Sequence, residues 1–334
     1  MTPREQKVKD RILELLRGHP EGLRQADIAR ALGVSRSYVS EVVNELLRKG
    51  IVKKIREHGI TKIVYPIQHT GKHENIVKLG IVWSSEYPFI TYFAKKLRER
   101  GYWLDVIVYS NALDATLDAV TGKIDLVLSP LVTQFLYASM TNRLRIIGGG
   151  AVGGASVIEN PWARDDKAVS SKASTMDLLI TLVLSEEGIP LENKMYGGSG
   201  EEIMYMIASG RAKYAAIWEP LATKLKKMGY KEIISLKDLD IPHCCTLAIS
   251  TLTKLDIDLV KKTYSESLEE YIRRPDQAME WYSIKTGIPV QILKESTRNY
   301  RYTLDIEHKK TVSVLRKAGI TIPEPGNLRK YIVT

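Results

Sequence analysis

Over the first fifty residues the apolar positions return every three or four places. Val8, Ile12, Leu15 and Leu16 mark one helical stripe behind Pro3, a residue suited to a first helical turn. Leu23, Ile28 and Leu32 mark a second, stopped at Gly33. Val39, Val42, Val43, Leu46 and Leu47 mark a third, with Ser35 placed to cap it and Arg48-Lys49-Gly50 to close it. The period then shortens: "IVKKIREHGITKIVYPI" predicts two strands turning near His58-Gly59. From Asn75 onward, continuous apolar runs alternate with amphipathic stretches. "NIVKLGIVWS", "WLDVIVYS", "KIDLVLS" and "RLRIIGGG" read as strands; "PFITYFAKKLRERG", "ALDATLDAVTG" and "PLVTQFLYASM" read as helices. That alternation predicts an α/β fold with parallel, doubly wound sheets.

A second run repeats the first. "KAVSS", "NKMYGGSG", "RAKYAAIW" and "KEIIS" read as strands, "KASTMDLLITLVLSEEG", "EEIMYMIASG" and "EPLATKLKKMG" as helices, and a helical tail follows from Asp256. The stretches "TGKIDLVLSPLVTQFL" and "SGRAKYAAIWEPLATKL" share one design, an apolar run ending on a polar residue and then Pro-Leu. Two α/β lobes in tandem make a clamp. The expected organisation is a small, largely helical unit over residues 1–67, a linker over 68–75, and a two-lobed unit over 76–325 whose second lobe spans about 160–242. Ligands in such sheets bind beyond the carboxyl ends of strands. Those ends carry Trp83, Ser84 and Ser85, then Asn111, Ser129, Ser199, Trp218 and Glu219.

Charge sharpens the first unit. The chain of 334 residues carries +10, and residues 1–67 hold 14 Lys/Arg against 8 Asp/Glu. A basic unit beside a near-neutral one points to a polyanion. The run "ALGVSRSYVS" resembles the winged helix-turn-helix regulators. The resemblance implies double-stranded DNA as partner and a homodimer on two half-sites. Arg36, Ser37, Tyr38, Ser40 and Asn44 on the polar face of the third helix would meet base edges, and Lys54, Arg56 and Lys62 of the wing would meet phosphates. Arg24, Gln25 and Ser35 complete the candidate DNA-binding set. A winged helix serving only protein contacts is the alternative.

The order of elements, and above all "GSGEEIMYMIASGRAKYAAIWEP", resembles the type II periplasmic binding proteins, in the branch that takes nitrate, sulfonates, taurine or the pyrimidine precursor of thiamine. The resemblance covers most of residues 76–300. It implies a small polar effector in the cleft, either anionic (sulfonate, nitrate or carboxylate) or pyrimidine-like. Ser174 and Thr175 open a strongly helical stretch, where they either cap the helix or meet an anion; the resemblance favours a ligand contact. Glu219, at a strand end, either faces the cleft or bonds neighbouring amides. Trp83 either stacks on a planar ligand or belongs to the core.

No cofactor or metal is expected. The two cysteines, Cys244 and Cys245 in "IPHCC", are adjacent, which argues against a mutual disulfide and, through strand alternation, against convergence with His243 on one ion. They are expected to be small buried residues of a strand crossing between lobes. His69 and His73, in "PIQHTGKHEN", read as solvated linker residues, and "IIGGGAVGGAS" as flexible chain near the lobe crossover. No apolar run is long enough to span a membrane, and the charged start "MTPREQKVKD" is unlike a signal peptide, so a cytoplasmic protein is expected. These features together predict an effector-responsive, DNA-binding transcription regulator and not an enzyme. The alternatives are an enzyme of thiamine-pyrimidine or related metabolism on the same clamp, or a clamp used only for assembly.

Overall fold

The three apolar stripes of the N-terminal stretch meet in one small core. Ile12 and Leu16 of α1 (Pro3–Gly18), Ile28 of α2 (Gln25–Leu32), and Val39, Val43 and Leu46 of α3 (Arg36–Arg48) are fully buried there. Gly33 adopts the left-handed conformation (φ 65°) that ends α2, and the Ser35 hydroxyl accepts the Tyr38 amide to start α3. Strands β1 (Lys53–Glu57) and β2 (Ile60–Val64) pair antiparallel as a wing, with Lys53 opposite Val64. Leu23 and Ile63 exchange two backbone hydrogen bonds, of 3.0 and 2.8 Å, and pin the wing beside α2. This is a winged helix-turn-helix. The computed structural model describes residues 3–19, 22–49, 51–57, 60–64, 75–239, 241, 243–307, 310, 312–313, 316 and 328–333. The expected cap Gly50, the wing turn at His58-Gly59 and nearly all of the expected linker, including His69 and His73, lie outside the described residues.

The first lobe follows the alternating pattern closely. It runs β3 (Ile76–Val82), α4 (Ile90–Glu99), β4 (Trp103–Tyr109), α5 (Ala112–Val120), β5 (Leu126–Pro130), α6 (Leu131–Thr141) and β6 (Leu144–Gly148). The chain then crosses through β7 (Gly150–Gly153) into the second lobe. That lobe comprises β8 (Ala155–Glu159), β9 (Ala168–Ser170), α7 (Thr175–Glu186), β10 (Lys194–Tyr196), α8 (Gly200–Ala208), β11 (Tyr214–Trp218), α9 (Leu221–Lys227) and β12 (Lys231–Ser235). It returns as β13 (Cys245–Ser250). The tail follows as α10 (Ile257–Arg273), α11 (Met279–Thr286), α12 (Val290–Ser296) and β14 (Tyr300–Thr303).

The sheets are mixed, which corrects the expectation of purely parallel ones. Their orders are β4-β3-β5-β13-β6 and β10-β9-β11-β8-β12. In the first, β3 runs parallel to β4 and β5, but β13 runs against β5 and β6. In the second, β8 runs against β11 and β12. The cause is connectivity. A strand arriving from the other lobe enters at the cleft end of the sheet, where the parallel strands finish, and so runs in the opposite sense; Cys245 accordingly pairs with Pro130, the last residue of β5.

The glycine-rich crossing is tight rather than loose. β14 pairs antiparallel with β7, Tyr300 opposite Gly153. A side chain at Gly149 would meet the Thr303 carbonyl oxygen at 2.4 Å, and one at Gly154 (φ 68°) would meet the Tyr300 ring at 1.7 Å. These glycines permit close backbone approach. Among the described residues no helix is long and apolar enough to cross a membrane.

Candidate functional site

The two sheets point the ends of β3, β5, β9 and β11 at one another, and a cavity of about 30 Å³ lies between them. Four expected site residues line it: Ser84, Asn111, Ser174 and Trp218. Each is held by a local reason. The Ser84 hydroxyl accepts the Glu86 amide at 2.9 Å, closing the turn after β3. Asn111 caps α5 through the Asp114 amide at 2.9 Å, and Ser174 caps α7 through the amides of Met176 and Asp177. Trp218 ends β11 and donates its indole N–H to the Trp83 carbonyl at 2.8 Å, so one hydrogen bond already joins the lobes.

Just outside lies a second recess of about 230 Å³, lined by Trp83, Ser110, Ser199, Glu201 and Trp218. Ser199 caps α8 there by accepting the Glu202 amide. The Trp83 indole donates to the Thr286 carbonyl at 3.0 Å.

Other expected residues are used by the scaffold. Ser129 and Glu219 do not face each other across the cleft. Ser129 is fully buried, and its hydroxyl meets Thr116 Oγ1 at 2.9 Å and Gln134 Nε2 at 3.2 Å. Glu219 accepts the Thr223 amide (3.0 Å), the Thr223 hydroxyl (2.9 Å) and the Asn299 amide group (2.6 Å). Burial raises its carboxyl pKa in spite of those three donors. Thr175 is fully buried and donates to the Cys244 carbonyl at 2.9 Å. Ser85 is buried too, its hydroxyl without a partner among the described residues and its amide bonded to the Glu219 carbonyl. Ser129, Glu219 and Thr175 thus spend their polar side chains on backbone or neighbouring polar groups.

Residues not expected in the site complete the cavity. Glu86, Tyr87, Met176, Cys244 and Cys245 line it. Glu86 is 2% exposed, its Oε1 has no hydrogen-bond partner among the described residues, and burial pushes its carboxyl pKa up to about 8. Burial likewise pushes the Cys245 thiol well up, and the Tyr87 hydroxyl donates to its Sγ at 3.0 Å. Both cysteines are free. The described lining residues include no Lys, Arg or His, so the expected anionic group meets no cationic side chain.

On the winged helix-turn-helix unit, or reader, Ser35, Arg36, Ser37, Asn44 and Lys54 are exposed, and Tyr38 and Ser40 are half-buried. Arg56 lies on β1, with its side chain outside the described residues. Arg24 and Lys62, expected at DNA, instead line a recess of about 630 Å³ between the reader and the first lobe. Arg24 forks onto Asp27 (2.7 and 2.9 Å), and Lys62 pairs with Asp105 at 3.4 Å. Gln25 is half-buried at the start of α2.

One short helix touches both halves of the molecule. α11 packs against α2, with Ile284 against the reader core and Trp281 stacked on His19 (centroids 6.0 Å apart, planes 12° apart). The Arg30 guanidinium lies over Gly287 at its end. From the same helix the Tyr282 hydroxyl donates to the Ser84 carbonyl at 2.7 Å, and the Thr286 carbonyl holds Trp83. The loop that floors the cleft and the domain that carries α3 thus share one support.

Fold and surface define a winged helix-turn-helix unit joined to a two-lobed domain of the periplasmic-binding-protein fold. Residues 11–59 match the MarR family model, and the N-terminal unit is a MarR-family helix-turn-helix domain. An HTH-type transcriptional regulator of Mycobacterium tuberculosis is 33% identical over 88 residues, 26% of this chain and 32% of that protein; the chain thus matches about a third of that relative's length. The α/β part is similar to the ligand-binding component of an ABC-type import system from Staphylococcus aureus, solved with zinc bound (16% identity, TM-score 0.67, 78% of this chain and 97% of the other). It is also similar to the alkanesulfonate-binding protein SsuA from Xanthomonas axonopodis pv. citri bound to MOPS (11% identity, TM-score 0.63, 79% and 99%). At these identities the likeness is one of fold.

Proposed function

We propose that this chain is a transcription regulator, working in the cytoplasm, whose hold on its operator is modulated by a small molecule bound between the two lobes. The observation that carries the reading is the double attachment of α11: Tyr282 and Thr286 fasten the cleft loop while Ile284 and Trp281 fasten the reader. A ligand that favours one arrangement of the Trp83–Ser84 loop thereby favours one placement of α3, and differential affinity for the two arrangements is what shifts the balance. On the DNA side, exposed Arg36 and Asn44 enter the major groove while Lys54 and Arg56 meet phosphates, with two copies of the chain on two half-sites. The effector occupies the recess of about 230 Å³ beside the Glu86 cavity, where Trp83 and Trp218 suit a planar, pyrimidine-like ring and Ser110 and Ser199 offer hydroxyls to a polar group. With their polar groups spent on caps and packing, Ser129, Thr175 and Glu219 act as scaffold.

The test has two arms. A thermal-shift screen of pyrimidines, sulfonates, nitrate and amino acids identifies the effector, since a ligand at a hundred times its Kd stabilises the fold by about 2.7 kcal/mol. Fluorescence anisotropy on the chain's own promoter duplex then reads operator binding. Arg36→Ala and Asn44→Ala should each weaken it by about 1–3 kcal/mol at unchanged folding stability, and affinity should fall steeply with added salt. A full-length chain that ignores its promoter at low salt would refute the regulator reading.

A further inference from the structure

We propose that Glu86, Cys244 and Cys245 form a binding site for a thiophilic divalent cation of the zinc class, set in the floor of the interlobe cleft. One carboxylate oxygen and the two sulfurs lie within 4.8 Å of one another, and all three residues are buried. The sulfurs are 4.0 Å apart. Two thiolates at the usual 2.3 Å from one tetrahedral ion sit about 3.8 Å from each other, so only a slight movement separates this arrangement from a ligand set. The cavity beside them, about 30 Å³, holds one ion or one water.

Ordinary packing accounts poorly for this cluster. An acid is buried among apolar side chains with Oε1 unpartnered among the described residues, an arrangement that costs several kcal/mol unless something compensates it. Tyr87, donating to Cys245 Sγ, is an outer hydrogen-bond donor of the kind that orients a metal-bound thiolate. Strand alternation would send adjacent side chains apart, but Cys244 precedes β13, where the pleat has not begun, and its sulfur comes round beside its neighbour's.

Binding would displace the thiol protons to solvent and leave a fourth tetrahedral position open toward Ser174 and Trp218 of the second lobe. A cation there would also supply the positive charge that the described lining residues lack, and so favour an anionic effector. That last consequence rests on the clamp reading; the site itself does not.

The experiment uses the full-length, reduced, metal-stripped protein titrated with Cd²⁺ under nitrogen, reading the ultraviolet thiolate-to-metal absorption, then titrated back with Zn²⁺. The chain has no other cysteines, so any such band reports these two. The expected result is a band that saturates at one equivalent and is displaced by Zn²⁺. Cys244→Ser and Cys245→Ser should each roughly halve it, while Glu86→Gln should keep the band but weaken the affinity about tenfold or more. Absence of the band in folded wild-type protein, or a full band in either single serine variant, would overturn the proposal. Where the variants fold poorly, the wild-type titration decides alone. It involves no DNA, so its failure is separate from failure of the regulator reading.

Discussion

Glu219 shows how a polar residue in a conspicuous place can be structural. Its carboxylate takes three donors, two from Thr223 at the start of α9 and one from Asn299 just before β14. It therefore ties the end of β11 to the tail that braces the crossing. Glu219→Ala would leave those donors buried and unmet, and should lower the free energy of unfolding by about 2 kcal/mol. Urea denaturation checks this; an unchanged midpoint with weakened effector binding would return Glu219 to the cleft. Gly154→Ala should be harsher, by about 3 kcal/mol or more, because the new methyl group would overlap the buried Tyr300 ring and strain a positive φ. The measurement is again the denaturation midpoint, and a loss below about 1 kcal/mol would show that the crossing yields.

Residue identity at strand ends and helix starts made four of the thirteen residues lining the cavity legible. Ser84, Asn111, Ser174 and Trp218 sit where polar or aromatic residues interrupt apolar runs. Glu86 and the two cysteines escaped because their meeting depends on a loop after β3 and an irregular stretch before β13, more than 150 residues apart in the chain. No local period encodes that.

At the scale of elements, periodicity was informative wherever burial is one-sided or complete. The helices α2 and α3 and the strands β3, β5 and β11 fall on the stretches whose apolar spacing announces them. The antiparallel members β8, β13 and β14 were harder to place, since a strand's direction is set by where the chain enters its sheet and leaves no mark in side-chain alternation. The element at the centre of the proposed coupling, α11, is eight residues long and has partners on opposite sides, so no single apolar stripe announces it. Its role yields a prediction. Ile284→Ala and Trp281→Ala should loosen the reader from the clamp. Effector-free promoter affinity should change little, while the effector's influence on it, ordinarily a 5- to 150-fold change for an allosteric pair, should be lost. Anisotropy titrations with and without effector measure both quantities; a variant that keeps the full effect would remove α11 from the coupling.

On the whole-molecule scale, the reader does not stand apart from the clamp. Arg24, Asp27 and Lys62 face the first lobe across a shared recess, Lys62 pairs with Asp105, and His19 stacks on Trp281. Two of the cations expected at DNA, Arg24 and Lys62, therefore face the protein's own second half. Net charge marks the N-terminal unit as basic but does not show which of its cations pair with the protein's own acids, as Arg24 does with Asp27 and Lys62 with Asp105. In the proposed coupling, a change in the Trp83–Ser84 loop reaches the N-terminal unit through contacts already made. The most direct test is the affinity of the full-length chain for its own promoter duplex, measured by anisotropy at two salt concentrations with and without a ligand that raises its melting temperature. The account predicts tight binding that weakens steeply with salt and changes at least about fivefold when the ligand is present. Binding that is absent at low salt, or identical with and without a saturating cleft ligand, would contradict it.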